Sequence, residues 1–419
     1  MSEKPRTRIS AAEAAAAVLE PLSPLDCVRV PLADALGSVL GEPVESPIDI
    51  PPWDNSAMDG YAARSADLGS GEPVVLTVVE EIAAGGFPTR ELGARECSRI
   101  FTGAPVPQGA DTVIRQEDTT RLDEARVRID DARDAGRNVR SRGEDVARGS
   151  AVFMPGDPLG PAQIGVLASM AWDRPLVHRR PTVAVLTTGD EIADLGERDA
   201  ILSGRKIASS NSYTMRAAVQ EAGGDLLELG IARDDPADLH RSLERAGAAD
   251  LLVTSGGMSV GEHDHLRRML EELGSGMKFW RLRTRPGAPL GFGLLDSLPW
   301  IGLPGNPVST MVTFELFVRP AIRRLAGHAL PFRRAVPVRL GEPISTAARL
   351  THFLRVRLNA EGGEPVATLT GPQGSGMLTS MAKADALLIV PEDVERAEAG
   401  ATLNAIVLGD AAHVEQPPY

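Results

Sequence analysis

The sequence predicts an elongated multidomain chain of the α/β-plus-β class. Its parts are a doubly wound parallel-sheet domain, an inserted β-domain and a C-terminal β-barrel-like domain. Three observations predict this. The chain has 419 residues, too many for one hydrophobic core. Residues 180–327 alternate apolar strands with helical patterns, as a parallel sheet with crossover helices requires. On either side of that region, short β-rich runs between glycine and proline turns replace the alternation.

In chain order, Ser10-Ala11-Ala12-Glu13 is a capping box that opens an alanine-rich helix to about Leu22. Residues 1–46 and 144–178, the latter with a helix over 160–171, are assigned to an N-terminal and linker domain. Between them, 47–143 is the inserted β-domain, with strands near 73–79 and 125–129. The α/β domain spans 179–328. Its first strand, 182–187, is a continuous apolar run, as a strand buried on both faces should be. A helix over 212–222 ends at Gly223-Gly224, and a strand follows over 226–231. Asp235-Pro236 then opens a helix with proline at its first position. A strand over 250–254 and helices over 262–273 and 306–326 complete the domain. Residues 329–419 carry strands at 335–340, 353–358 and 386–390.

Composition narrows the function. A formal charge of -13 and a pI near 5.1 exclude a general nucleic-acid binder, which needs a basic face to displace counterions. Cys27 and Cys97 are the only cysteines and form no CxxC, which fits a reducing compartment and excludes a cysteine-built metal site. The N-terminus has no signal-peptide core and no apolar run is long enough to span a bilayer, so a cytoplasmic protein without membrane partners is expected.

Three stretches are poorly explained by packing. Pro51-Pro52-Trp53-Asp54-Asn55-Ser56-Ala57-Met58-Asp59-Gly60-Tyr61-Ala62 follows neither a helix nor a strand period; it reads as a loop with an extended entry at the prolines and a turn at Asp59-Gly60. Thr254-Ser255-Gly256-Gly257-Met258-Ser259 ends a strand. There the glycines admit a ligand to the backbone and the serine hydroxyls donate, while amides near Val260-Gly261-Glu262 are suited to an anion such as phosphate. Asp264 adds a carboxylate beside that turn, suited to Mg²⁺ or a nucleophilic water. Thr188-Gly189-Asp190-Glu191 ends the first strand of the same sheet and repeats this logic. In the third stretch, Pro304-Gly305-Asn306-Pro307-Val308-Ser309, Asn306 is an N-cap and Ser309 is left to donate. Upstream, Arg281, Arg283 and Arg285 alternate along a strand before Pro286-Gly287 and face one side together, to meet an anion or to form a solvated basic face. His263 and His265, two apart at a helix start, do not face one another, so no zinc site is expected.

Together and in this order, these stretches, with Gly374-Ser375-Gly376-Met377-Leu378 further on, resemble the molybdopterin molybdenumtransferases, the MoeA family that includes the E domain of gephyrin. The resemblance runs nearly full length. It implies a four-domain homodimer with the active site between subunits, Asp59 and Thr102 reaching across from one chain to the other. It implies functional acids at Asp145, Asp190, Glu191 and Asp264, of which Asp190 and Asp264 would hold Mg²⁺. Arg285, Ser309, Arg355 and Ser375 resemble molybdate-side residues. The reaction implied takes adenylylated molybdopterin and molybdate, cleaves the phosphoanhydride with Mg²⁺, and leaves molybdenum on the dithiolene. Implied partners are a second copy of the chain, a molybdopterin adenylyltransferase and molybdoenzyme maturation proteins. The chain departs from the family pattern where Ser209 stands for a usual Asp, Ala288 for a usual Lys and Arg285 for a Lys. Those departures favour a second reading, a weakly active or non-catalytic carrier or scaffold. A third reading, a molybdopterin adenylyltransferase, leaves the inserted and C-terminal β-domains without a use.

Overall fold

Thr182–Thr188 runs through a seven-stranded sheet in the computed structural model, which describes residues 6–69, 72–233, 235–257, 269–270, 276–361 and 364–409. The strand order is Arg6–Ile9, Phe279–Leu282, Gly291–Leu295, Leu298–Leu303, Leu251–Ser255, Thr182–Thr188, Asp225–Ala232. Gly291–Leu295 pairs antiparallel with both neighbours and the other pairings are parallel, so the expected parallel sheet is mixed. The reason is local: the link from Leu295 to Leu298 is a hairpin turn, far too short for a crossover.

The central strand shows why its sequence is apolar throughout. Val183 and Val185 enter one core with Met215, Val219, Phe314 and Phe317, while Ala184 and Leu186 enter another with Leu239, Leu243 and Trp300. Helices Ser210–Glu221 and Pro307–Thr313 pack on the first face, and Pro236–Ala246 on the second. Asp235 caps that last helix by accepting the Asp238 N–H.

The N-terminal unit read as 1–46 is divided. Arg6–Ile9 is an edge strand beside Phe279–Leu282, and helix Ala11–Leu19 buries Ala14 and Val18 in the same core as Val183. The capping box forms as expected, with Ser10 and Glu13 satisfying each other's backbone N–H groups. The strand before it, Arg-Thr-Arg-Ile, offers one apolar residue and no period to read. Beyond it, Cys27–Arg29 pairs with Leu176–His178 and Val44–Glu45 with Ala151–Phe153, around Leu40, Leu159, Leu167 and Met170.

In the inserted region a six-stranded sheet runs Thr112–Arg115, Gly60–Ala63, Glu96–Ile100, Val74–Ile82, Arg126–Ile129, Thr119–Arg121. Asp59-Gly60 is therefore not a turn; Gly60 opens a strand paired on both sides. It is glycine because a Cβ there would lie 1.9 Å from the Ile114 carbonyl oxygen. The C-terminal strands Thr351–Glu361, Glu364–Leu369, Ala335–Leu340, Thr402–Val407 and Ala386–Val390 close on themselves as a barrel. Thr284–Arg285, from the α/β domain, adds to it by pairing in parallel with Thr351–His352. Among the described residues no helix is long and apolar enough to cross a membrane.

Candidate functional site

From Thr182–Thr188 the chain first adds Asp225–Ala232 on one side and then Leu251–Ser255 on the other. Strand order thus reverses between Thr188 and Ser255, the crevice where open α/β sheets bind ligands. Gly256 sits in it at φ +93°, and a Cβ there would meet the Thr188 carbonyl oxygen at 2.5 Å and its Oγ1 at 2.9 Å. Gly257 (φ +63°) also takes the left-handed conformation, and Gly305 backs onto the Gly256 Cα. Asn211 fastens the turns together: its Nδ2 donates to Ser255 Oγ and to the Gly305 carbonyl, both at 2.8 Å. The Pro304 carbonyl accepts from Ser255 Oγ (3.3 Å) and Thr310 Oγ1 (2.6 Å). Two buried oxygens, Asn211 Oδ1 and Thr188 Oγ1, have no hydrogen-bond partner among the described residues. A buried polar atom without a partner costs about 1–3 kcal/mol, which a ligand bonding to it recovers. Asp190 and Glu191 follow on exposed backbone, with the Glu191 carboxylate folded over Gly189 and the Asp190 carbonyl accepting from Lys206. Ser259, His263, Asp264 and His265 lie outside the described residues. Among those described, no three His, Cys, Asp or Glu are grouped to hold a metal ion.

A second group lies where the sheet domain meets the barrel. Asn306 stands at the N-cap position of Pro307–Thr313, but its side chain makes no cap; Nδ2 instead donates to Ser375 Oγ at 3.2 Å. The Val308 N–H donates to the Ser375 carbonyl, so this turn is held from across the domain boundary. Pro286-Gly287 packs on the same helix, where a Cβ at Gly287 would lie 2.4 Å from Thr313 Cγ2, and Ser309 is buried beneath it. The three arginines do not alternate on one strand. Arg281 is left-handed (φ +70°) within Phe279–Leu282, and Arg283 lies beyond that strand and pairs with Glu392 at 3.1 Å. Arg285 alone reaches the cavity beyond. This cavity, about 450 Å³, is lined by Arg285, Pro286, His352, Arg355, Gln373 and Gly374 among others, and by no carboxylate among the described residues. Arg355 is fully buried. It donates from Nε to Ser380 Oγ (3.2 Å) and from Nη2 to the Gly374 carbonyl (3.1 Å), and burial lowers its pKa. It has no acidic partner among the described residues, so the cavity carries a net positive charge suited to an oxyanion.

The third group sits on the inserted sheet. Asp59 accepts the Thr102 N–H (2.8 Å) and hydroxyl (2.7 Å), and these bonds, with the charge of Arg99, hold its carboxyl below the ordinary range. Arg99 lies over the rings of Tyr61 and Phe101. Asp145 is exposed and its N–H donates to the Ile50 carbonyl at the entry of the 51–62 loop. No hydrogen bond or ion pair among the described residues ties this group to the strand ends.

Known proteins share this arrangement. Residues 9–171 match the MoeA N-terminal region (domain I and II), 184–324 a probable molybdopterin binding domain, and 337–408 the MoeA C-terminal region (domain IV). The molybdopterin molybdenumtransferase of a Nostoc species is 36% identical over 87% of this chain and 85% of its own. Molybdopterin molybdenumtransferase 2 of Mycobacterium tuberculosis is 36% identical over 90% and 94%. The chain belongs to the molybdopterin molybdenumtransferase (MoeA) family. The crystal structure of the molybdopterin biosynthesis moeA protein from Pyrococcus horikoshii OT3 superposes with a TM-score of 0.82 at 27% identity, covering 96% of this chain and all of that one.

Within this MoeA family member, Ser209 is buried. Its Oγ lies 2.5 Å from Ser212 Oγ, which lies 2.8 Å from Thr187 Oγ1, a chain of neutral hydroxyls at the strand end. Sequence reasoning missed Asn211, Gln373 and His352. Asn211 stands two residues after Ser209 in a segment read only for its missing acid, and no local pattern marks an amide that bridges turns 44 and 94 residues away.

Proposed function

We propose that this chain is a molybdenum insertase of molybdenum cofactor biosynthesis, transferring molybdenum from molybdate into adenylylated molybdopterin with release of AMP. The observation that carries the reading is the junction of two anion sites across the Asn306–Ser375 contact. On one side is the crevice of Ser255, Gly256 and Gly305, suited to phosphate; on the other is the acid-free cavity of Arg285 and Arg355, suited to an oxyanion. Cleavage of the phosphoanhydride is displacement at phosphorus, in which positioning and charge neutralisation dominate. The backbone at Gly256 and Gly257 holds the phosphate, Asn211 fixes the flanking turns through Ser255 and Gly305, and the two arginines hold molybdate against the dithiolene. Mg²⁺ takes one or two carboxylates with phosphate oxygens and water, a donor set that Asp190 and Glu191, just past the end of Thr182–Thr188, can supply. Bound there it would neutralise charge on the phosphate oxygens. Asp59, Thr102 and Asp145, on another sheet, complete the site from a second copy of the chain in a homodimer. The test is AMP release and molybdenum incorporation by purified protein, with complementation of a cell lacking its own insertase. Turnover confirms the reading, and a stable monomer at micromolar concentration in sedimentation refutes the shared site.

Ser209 supports a second reading. A neutral hydroxyl already bonded to Ser212 supplies no charge for a cation, which suits a carrier that binds the pterin nucleotide without turning it over. Binding without AMP release at any Mg²⁺ concentration would establish it.

A further inference from the structure

The oxyanion cavity has a third basic wall. We propose that His352 is a binding residue of this cavity and that it takes up a proton when a dianion such as molybdate enters. The inference rests on the insertase reading, whose molybdate it concerns. Parallel pairing sets His352 directly opposite Arg285, and both line the cavity that also holds the Arg355 side. The imidazole is buried, 4% exposed, and its Nε2 lies 3.1 Å from the Ala347 carbonyl. A carbonyl only accepts, so Nε2 carries the hydrogen and the neutral ring keeps Nδ1 as a lone-pair acceptor. Nδ1 has no partner among the described residues. A lone pair in a cavity for an oxyanion is unfavourable; protonation turns it into a donor and adds a charge.

The empty cavity opposes that protonation. Burial lowers the pKa of His352 and the Arg285 charge lowers it further, while the bond to Ala347 acts the other way. The surrounding charges are Arg285 on the paired strand, Arg355 and Arg349 on its own segment, the Glu392–Arg283 ion pair beyond Val390, and Glu395 and Arg396 beside 344–346. Glu392 is committed to Arg283 and Arg396 is bonded to Glu398, so no free carboxylate lines the cavity to hold the imidazolium. An incoming dianion reverses the balance by offsetting Arg285 and Arg355 and by accepting from Nδ1. Affinity therefore rises as pH falls, because the complex holds one more proton than the free protein.

The experiment is calorimetric titration of molybdate into the full-length protein and His352→Gln, at pH 6, 7 and 8, each in two buffers of different ionisation enthalpy. Gln keeps an N–H for Ala347 and cannot be protonated. Wild type should take up close to one proton, with affinity falling as pH rises at a slope approaching tenfold per pH unit, the limit for one proton. The variant should take up none and show a flat profile. Molybdate binding to wild type without proton uptake overturns the proposal and leaves the insertase reading standing, as does equal uptake by the variant. Failure of wild type to bind molybdate at any pH overturns both.

Discussion

Replacing Gly256 by alanine tests the close approach at the strand ends. Two costs add. At φ +93° an L side chain is strained, by about 1–2 kcal/mol. The new Cβ would also stand 2.5 Å from the Thr188 carbonyl oxygen, a backbone atom that no rotamer change can move aside. Overpacking of that kind costs about 1–3 kcal/mol, so the expected loss is about 2–5 kcal/mol. Gly223 supplies the control, with φ +92° and nothing within 4 Å of its ideal Cβ, so Gly223→Ala should lose the conformational part alone, about 1–2 kcal/mol. Urea unfolding followed by tryptophan fluorescence reads both variants, since Trp280 and Trp300 lie in the sheet. Relief of the clash forces the ends of Thr182–Thr188 and Leu251–Ser255 apart, so Gly256→Ala should lower AMP release by up to about a hundredfold where Gly223→Ala leaves it unchanged. Equal stability losses in the two variants would refute the close approach, and full turnover in Gly256→Ala would refute its role in the crevice.

Other outcomes follow from single sites. Ser209→Asp with Ala288→Lys should lower the Mg²⁺ and molybdate concentrations needed for half-maximal insertion; no change in either means that the hydroxyl chain and Arg285 already meet the need. Asp59 is held below the ordinary carboxylate range by the Thr102 N–H and hydroxyl. Its stabilising effect is therefore complete above the unfolded value near pH ~4 and lost as pH falls through the lower folded value. The melting-temperature gap between wild type and Asp59→Asn should be constant above pH ~5 and close below pH ~4; a gap that persists into strong acid contradicts the assignment. Burial pushes the Cys97 thiol up to about 12, so it should not react with a thiol reagent at pH ~8 until urea is added.

Elements with strong local signals were legible in the sequence. The apolar run 182–187, the Asp235-Pro236 helix start and the capping box at Ser10 each carry their cause within a few residues, and each formed. The strand-end glycines were legible because a positive φ excludes most other residues. What stayed hidden depends on partners far along the chain. Arg6–Ile9 is a strand only because Phe279–Leu282 offers it an edge, and Gly60 is glycine because of Ile114. Asn306 reads as a cap until Ser375 arrives to take its amide. The arginine run failed for a related reason, since the left-handed Arg281 breaks a two-residue period that the sequence alone leaves intact.

The pairing of Arg6–Ile9 with Phe279–Leu282 also constrains how the molecule is made. During synthesis the first strand emerges about 270 residues ahead of its partner, a delay of roughly 14–55 s at ordinary translation rates. Throughout that interval helix Ala11–Leu19 has no core to receive Val18, because the helix spanning Phe314 and Phe317 is later still. The inserted sheet, complete by Ile129, can fold while the ribosome is still working, whereas the α/β domain is closed only after its C-terminal helix has left the tunnel. Ribosome-bound chains stopped short of Phe279 should therefore carry a folded β-domain tethered to an N-terminal segment that proteases and chaperones can still reach.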